Sequence, residues 1–311
     1  MIPVSVIIPT YNRKKTLFPA IHSVLSQSAP AVEIIVVDDG SVDGTAQAFQ
    51  AAGLPDNVLY IRQENAGAGA ARNRGLQEAS GEWVAFLDSD DIWRSDKLKH
   101  FVEELERTPD MDFYYHASSY AVDAPVALSL PAQTLASRRN RLDLLAGFYS
   151  RTPTVMVRMQ LLKDWGLQFG TKKTCEDYYL FWRAVAVAKH IGYSPAIDTI
   201  TMFADNSITK SADFSRIVAD QFDTIKAVIG WMCDKELESE LIEQMQWLAR
   251  WQYKNLLSYL LLSGRMFQFF EGLFRPPLNL GGTIWLKTVV RAVLDCSVSE
   301  KRDWIRRYAT R

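Results

Sequence analysis

The feature that most limits what this chain can fold into is the alternation over its first 120 residues. Short apolar runs, Val4–Ile8, Glu33–Val37, Val58–Ile61 and Trp83–Leu87, are separated by segments of helical spacing: Lys14–Gln27, a helix from about Gly44, Gly69–Ala79 and Asp96–Arg107. Phe113–His116 reads as a further strand. Strands apolar on both faces need cover on both faces, and the intervening helices supply it. The pattern therefore predicts an α/β fold with a mostly parallel sheet. In such sheets ligands bind beyond the carboxyl ends of the strands. The polar clusters fall there: Thr10-Tyr11-Asn12, Asp38-Asp39, Glu64-Asn65 and Asp88-Ser89-Asp90.

Further along, residues 117–140, with two prolines, read as a loop over the site. Thr154–Val157 reads as a strand, Gln160–Trp165 as a short helix, Glu176–Ala188 as a helix and Ile200–Phe203 as a strand. From about Asp213 the pattern is helical to the end, broken near Gly264, at Pro276-Pro277 and at Gly281-Gly282.

Composition narrows the function. The 311 residues carry a formal net charge of −1, which argues against a general nucleic-acid binder. Gln246 to Arg311 holds 11 Lys/Arg against 4 Asp/Glu, or +7, leaving −8 on residues 1–245. Cys175, Cys233 and Cys296 lie far apart, without metal-ligand spacing or a disulfide framework, which fits a reducing cytoplasm. Met1-Ile2-Pro3 runs straight into a strand pattern, so no signal peptide is expected. The longest clearly apolar uncharged stretch, Asn255 to Gly264, falls short of the roughly 20 residues that a membrane span needs. The basic C-terminal segment, with Trp285 and Trp304, is either helical core or a surface for an anionic membrane leaflet.

Three constellations carry chemistry. Asp38-Asp39 and Asp88/Asp90 close nearby strands, so they either converge on one pocket or cap the following helices, with Asp43, Asp91 and Ser95 as cap candidates. Carboxylates that converge suit Mg²⁺ or Mn²⁺, whose oxygen shell a diphosphate completes. Asn65 to Gly75, "NAGAGAARNRG", offers either a helix start for an anion or tight helix packing, with Arg72 and Arg74 bringing charge. Glu176-Asp177 opens a helix, which suits either the macrodipole or catalysis. His22, His100, His116 and His190 form no motif.

Five segments in order, "VSVIIPTYNR", "EIIVVDDGSVDGT", "NAGAGAARNRG", "GEWVAFLDSDD" and "CEDYYLFWRA", resemble the family 2 glycosyltransferases of the GT-A fold over residues 2–205. The resemblance implies a GT-A (Rossmann-like) sheet with helices on both faces and transfer, with inversion, of a sugar from a nucleotide-diphosphate donor. By that resemblance Tyr11 stacks on the base with Pro9 and Thr10 beside it, Asp39 hydrogen-bonds the base, and Arg72 contacts the nucleotide. Asp88-Ser89-Asp90 matches the family's D-x-D, with Asp90 the ligand of Mn²⁺ or Mg²⁺ and Asp88, nearer the ribose or sugar, also beside the metal. Asp177 is the implied general base and Glu176 its neighbour, while Met202–Thr209 loosely matches a polar turn of relatives. The implied organisation is a catalytic domain over residues 1–212, donor half 1–115 and acceptor half 116–212, followed by a helical appendage over 213–311. The donor is expected to be a UDP-sugar and the acceptor a saccharide or lipid-linked saccharide of cell-surface polysaccharide, at a cytoplasmic or inner-leaflet location.

Two departures matter. Gly166-Leu167-Gln168-Phe169-Gly170 stands where many relatives carry Gly-Gly-Phe-Asp. Gln246 and Arg250-Trp251 have one residue too many for the Q-x-x-R-W of processive members, so a single addition is expected. The rivals are a sugar-phosphate nucleotidyltransferase, whose glycine-rich N-terminal loop is missing from "IIPTYNR", and a non-catalytic scaffold or peripheral membrane protein.

Overall fold

The computed structural model describes residues 4–120, 151–172, 174–202 and 214–262. The chain divides into two compact units, Met1–Asp205 and Asn206–Arg311. Described strands of the first unit are β1 (Val4–Thr10), β2 (Glu33–Asp38), β3 (Val58–Arg62), β4 (Trp83–Phe86), β5 (Asp91–Trp93), β6 (Phe113–Tyr120), β7 (Val155–Arg158) and β8 (Ile191–Thr201). Its helices are α1 (Lys14–Leu25), α2 (Thr45–Ala51), α3 (Ala68–Glu78), α4 (Lys97–Arg107), α5 (Met159–Trp165) and α6 (Glu176–Val187), with a 3-10 turn at Thr152–Thr154.

The strands form one sheet in the order β3-β2-β1-β4-β7-β6-β8-β5. Strand β1 pairs parallel with β2 and β4, β2 with β3, and β6 with β8. Strand β7 runs antiparallel between β4 and β6, and β5 antiparallel to β8 at the edge. From β1 the chain moves outward through β2 and β3, then returns to the other side of β1 for β4. That reversal opens a crevice at the carboxyl ends of β1 and β4, where the polar clusters lie.

Alternation along the strands assigns the faces. Val4, Val6 and Ile8 of β1 join Ile34, Val36, Leu17 and Ile21 of α1, and Leu98 and Phe101 of α4 in one buried cluster. On the other face Ile35 and Val37 pack with Ala71 of α3. Gly75 brings α3 against β1: a Cβ there would sit 2.5 Å from Ile7 Cγ2. Gly75→Ala is therefore expected to overpack this contact and cost about 1–3 kcal/mol. Thermal melting should show a midpoint lower by several degrees, and an unchanged midpoint would mean that the helix shifts freely.

Several sequence expectations are corrected. Strand β6 runs to Tyr120, so the first residues expected in the loop continue the sheet, while residues 121–140 of that loop lie outside the described residues. Strand β8 begins at Ile191 rather than near Ile200, and β5 was not expected at all. The residue before α2 is Gly44 at φ 84°, and Asp43, one position earlier, accepts from the Thr45 N–H at 3.1 Å and the Lys14 N–H at 3.0 Å. Asp96 precedes α4, while Asp91 accepts from the Met202 N–H at 3.1 Å, so neither Asp91 nor Ser95 caps that helix. The breaks expected from Gly264 onward, and Met202–Thr209 beyond its first residue, lie outside the described residues.

The second unit contains α7 (Phe214–Asp234) and α8 (Ser239–Leu262), joined by four residues. Phe222, Ile225, Val228 and Met232 on α7 and Leu241, Met245, Leu248, Tyr253 and Leu257 on α8 are buried at helical spacing, with Phe222 edge-on to Tyr253 at 6.1 Å. Among the described residues no helix is long and apolar enough to cross a membrane.

Candidate active site

The site grows from the carboxyl ends of β1, β2 and β4. Pro9 and Thr10 close β1, where the Asp39 N–H donates to the Thr10 carbonyl at 2.9 Å. Tyr11, next in the chain, is 48% exposed, as a ring offered to a ligand must be. Asn12, at φ 52°, donates its N–H to Ser41 Oγ at 2.8 Å, and its Oδ1 accepts from the Val42 N–H at 2.8 Å. These bonds tie the loops after β1 and β2 into one rim.

The two aspartates at the end of β2 are buried and engaged. Asp38 Oδ1 accepts from the Ser41 N–H at 2.7 Å, and its Oδ2 from the Tyr60 hydroxyl. Asp39 accepts from Gln63 Nε2 at 2.7 Å, the Ala66 N–H at 2.9 Å and the Gly67 N–H at 2.8 Å. The anion at the start of α3 is thus the chain's own carboxylate. Three of its roughly four lone-pair sites are filled, leaving about one for a ligand. Gly69 resolves the choice left open for that segment toward close packing, since a Cβ there would meet the Gly170 carbonyl at 2.5 Å and Glu176 Cγ at 3.2 Å.

Arg72, one turn into α3, joins two motifs that are far apart in sequence. Its Nη2 donates to Asp88 Oδ1 at 2.7 Å and its Nη1 to Glu176 Oε1 at 2.9 Å, with the guanidinium 5.3 Å from the Phe169 ring. Asn73 holds that ring's segment by bonds to both the Phe169 N–H and carbonyl. Behind β4, Ser89 is buried and Asp90 lies 3.4 Å from Arg13 Nη2. Asp177 Oδ2 accepts from the Thr152 hydroxyl at 2.9 Å and its Oδ1 from the Tyr178 N–H at 2.9 Å.

The electrostatics follow from crowding. Burial, then Asp88, pushes the Asp90 carboxyl up against the pull of Arg13. Asp91 is pushed up to about 8 by burial, then by Asp88 and Asp90. Burial raises Glu176, with Asp177 adding and Arg72 opposing; it also raises Asp177 against Arg72, Thr152 and the Tyr178 N–H. Asp88, Asp90, Asp91, Glu176 and Asp177 outnumber the guanidiniums of Arg13, Arg72 and Arg151 that act on them.

Among the described residues no group of three His, Cys, Asp or Glu side chains forms a cation cage. One or two carboxylates with a bound diphosphate suffice for Mg²⁺ or Mn²⁺, so Asp88 and Asp90 fit such an ion by donor chemistry. Thr10 Oγ1 and Arg72 Nε are buried and have no partner among the described residues. Buried polar atoms are normally paired, so both suit a ligand that supplies the missing contact.

Arg13, Asn73 and Thr152 were not singled out from sequence. Arg13 and Asn73 lie inside quoted motifs, whereas Thr152 is 25 residues from the carboxylate it holds and carries no motif.

Residues 5–161 match a family model described as "Glycosyl transferase family 2". The chain is 48% identical over 114 residues to the putative teichuronic acid biosynthesis glycosyltransferase TuaG of Bacillus subtilis, covering 35% of this chain and 45% of that one. It is 40% identical over 103 residues to the succinoglycan biosynthesis protein ExoO of Rhizobium meliloti, covering 33% and 30%. It thus spans less than half the length of either relative. The structure of S. aureus TarS 1-349 in complex with UDP-GlcNAc superposes with TM-score 0.67 at 22% identity, covering 98% of this chain and 84% of that one. The mannosyltransferase PcManGT of Pyrobaculum calidifontis in complex with GDP-Man and Mn²⁺ gives TM-score 0.58 at 17% identity, covering 94% and 86%. The fold is that of these GT-A enzymes.

Proposed function

The chain belongs to glycosyl transferase family 2, and we propose that it moves one sugar, with inversion, from a UDP-sugar to a saccharide or lipid-linked saccharide of a cell-surface polysaccharide. The observation that carries this reading is Arg72, whose one guanidinium holds Asp88 of the donor motif and Glu176 of the base motif together. A pocket with a diphosphate-binding edge and a buried carboxylate on a separate helix has the two halves that such a transfer needs.

Residues 1–212 form the catalytic domain in this reading, 1–115 for the donor and 116–212 for the acceptor. Tyr11 stacks on the base, Pro9 and Thr10 line it, Asp39 offers its remaining lone pair, and Arg72 lies beside the nucleotide. Asp90 and Asp88, with Ser89 between them, hold Mn²⁺ or Mg²⁺. Such an ion, when bound, stabilises the charge developing on the leaving diphosphate. Asp177 receives the proton of the acceptor hydroxyl on the face opposite the diphosphate, the geometry that inversion requires. Glu176 stays paired with Arg72 and so does not compete for that proton.

The UDP-GlcNAc complex of the TarS structure supports the choice of nucleotide, and the GDP-Man and Mn²⁺ complex of PcManGT supports a divalent ion. The names of TuaG and ExoO support a polysaccharide acceptor. A single addition is favoured by the extra residue between Gln246 and Arg250-Trp251. The +7 excess after Gln246 suits an anionic inner leaflet, where lipid-linked acceptors reside.

Calorimetry with UDP, GDP, dTDP and CDP, each with Mn²⁺, Mg²⁺ or EDTA, tests the donor site. UDP is expected to bind only with metal, and Asp90→Ala to weaken that binding at least about tenfold, as even lost outer-shell partners do. UDP binding as tight in EDTA would remove the metal from the reading, and no binding to any diphosphate would favour a non-catalytic scaffold.

A further inference from the structure

We propose that Thr152 is a positioning residue for Asp177, and that the buried Lys97 fixes the turn from which Thr152 acts. This deepens the reading above and rests on it only in taking Asp177 as the base.

Two bonds set how the Asp177 carboxylate is turned. The Tyr178 N–H reaches Oδ1 from within the same helix, so it travels with Asp177. The Thr152 hydroxyl reaches Oδ2 from the 3-10 turn before β7 and, among the described residues, is the side-chain bond that ties the carboxylate to the sheet. A base directed by one outside hydroxyl is only as well placed as the turn that carries it.

Bonds within the turn and from α4 and β8 hold it in place. Pro153 presets its own φ. Thr154 donates both its N–H and its hydroxyl to the Arg151 carbonyl, each at 2.8 Å. The Pro153 carbonyl accepts from Thr199 Oγ1 at 3.1 Å and from Lys97 Nζ. Lys97 is wholly buried, its Nζ 3.7 Å from the Trp93 ring and 3.5 Å from Thr199 Oγ1. Among the described residues no carboxylate pairs with it. Burial holds its amine well below the ordinary lysine value, with Asp198 and Asp91 opposing, so a lysine kept there is a cost to folding that a methionine avoids. What the lysine supplies and methionine does not is a donor to the Pro153 carbonyl, one residue from Thr152.

Among the described residues, the charged groups that act on Asp177 include Arg72 from α3, Asp88 beyond β4 and Glu176 beside it in α6. Burial and Asp88 raise its carboxyl; Arg72, Thr152 and the Tyr178 N–H oppose them. Removing the Thr152 hydroxyl leaves one fewer donor against burial, so the carboxyl must titrate higher.

The test is a carbon-13 NMR titration of the full chain labelled at the aspartate side-chain carboxyls, with Asp177 identified by the signal that Asp177→Asn removes. Thr152→Val is expected to raise the Asp177 midpoint by about one to two pH units, the worth of a hydrogen bond to a charged group. Thr152→Ser should restore it, and Lys97→Met should move it the same way by less. An unmoved midpoint in Thr152→Val overturns the proposal. Should Thr152→Val not fold, Lys97→Met decides in the same way: a raised midpoint supports the anchor, and an unmoved one overturns it. Failure of the catalytic reading looks different, since Asp177→Asn that still transfers sugar removes the base without touching this titration.

Discussion

Asp177→Asn is expected to cut sugar transfer by about 10²–10⁴-fold, the usual contribution of a positioned proton acceptor. Diphosphate binding should stay nearly intact. The amide fits the space of the carboxylate: its oxygen still accepts from the Tyr178 N–H, and its nitrogen donates to the Thr152 hydroxyl, which reverses role. Only the ability to take a proton is lost. Stability moves the other way. Burial raises the Asp177 carboxyl above its unfolded value, so its favourable contribution is fully present below the ordinary Asp range and is lost as pH rises through the folded value. The amide never ionises, so the variant should melt at or above the wild-type temperature near neutral pH. Nucleotide release with acceptor present, calorimetric UDP binding and a thermal melt separate the outcomes. Full turnover sinks the base assignment, and loss of UDP binding with the fold intact would move Asp177 to the donor side.

What the sequence makes legible depends on how local the cause is. Strands β1, β2 and β4 are visible because burial on both faces forces continuous apolar runs, as in Val4–Ile8 and Trp83–Leu87. The polar ends of those strands point to the crevice for the same reason. Strand β5 is three residues, too short to show a period, and it exists by pairing with β8. Strand β8 contains Gly192, Pro195 and Asp198, and its pairing with β6 shifts register between His116 and Ser118. It survives by position in the sheet, not by propensity. The same division holds at the site. Arg72 is conspicuous as a charge inside a small-residue segment, but its partners Asp88 and Glu176 are 16 and 104 residues away. Asp39 reads as a ligand-binding carboxylate, yet most of its acceptor capacity closes its own loop. Thr152 is invisible, because a hydroxyl that meets a carboxylate across a fold leaves no mark on the residues around it.

Arg72→Met should be the most destabilising single change at the site. The wild-type Arg72 side chain is 6% exposed, and its removal strands Glu176, whose side chain is 15% exposed, and the more open Asp88 at 32%. Breaking a buried pair from one side typically costs about 3–5 kcal/mol, and the exposure of Asp88 places this case near about 3 kcal/mol. The loss must depend on pH in a known direction. Burial, then Asp177, already holds the Glu176 carboxyl above its ordinary value of 4.5, with Arg72 opposing; without Arg72 it rises further. A carboxyl raised in the folded state contributes stability that is full below the unfolded value and is lost as pH rises through the folded one. The deficit of Arg72→Met should therefore be largest near neutral pH and shrink as the solution is acidified toward 4.5. Glu176→Gln in the same background should recover part of it, since a neutral amide needs no cation. Urea unfolding of the wild type, the two single variants and the double variant, at about pH 7 and about pH 5, closes the cycle. A deficit independent of pH, with no coupling between the two substitutions, would mean that Arg72 acts through its stacking on Phe169 and not through the bridge.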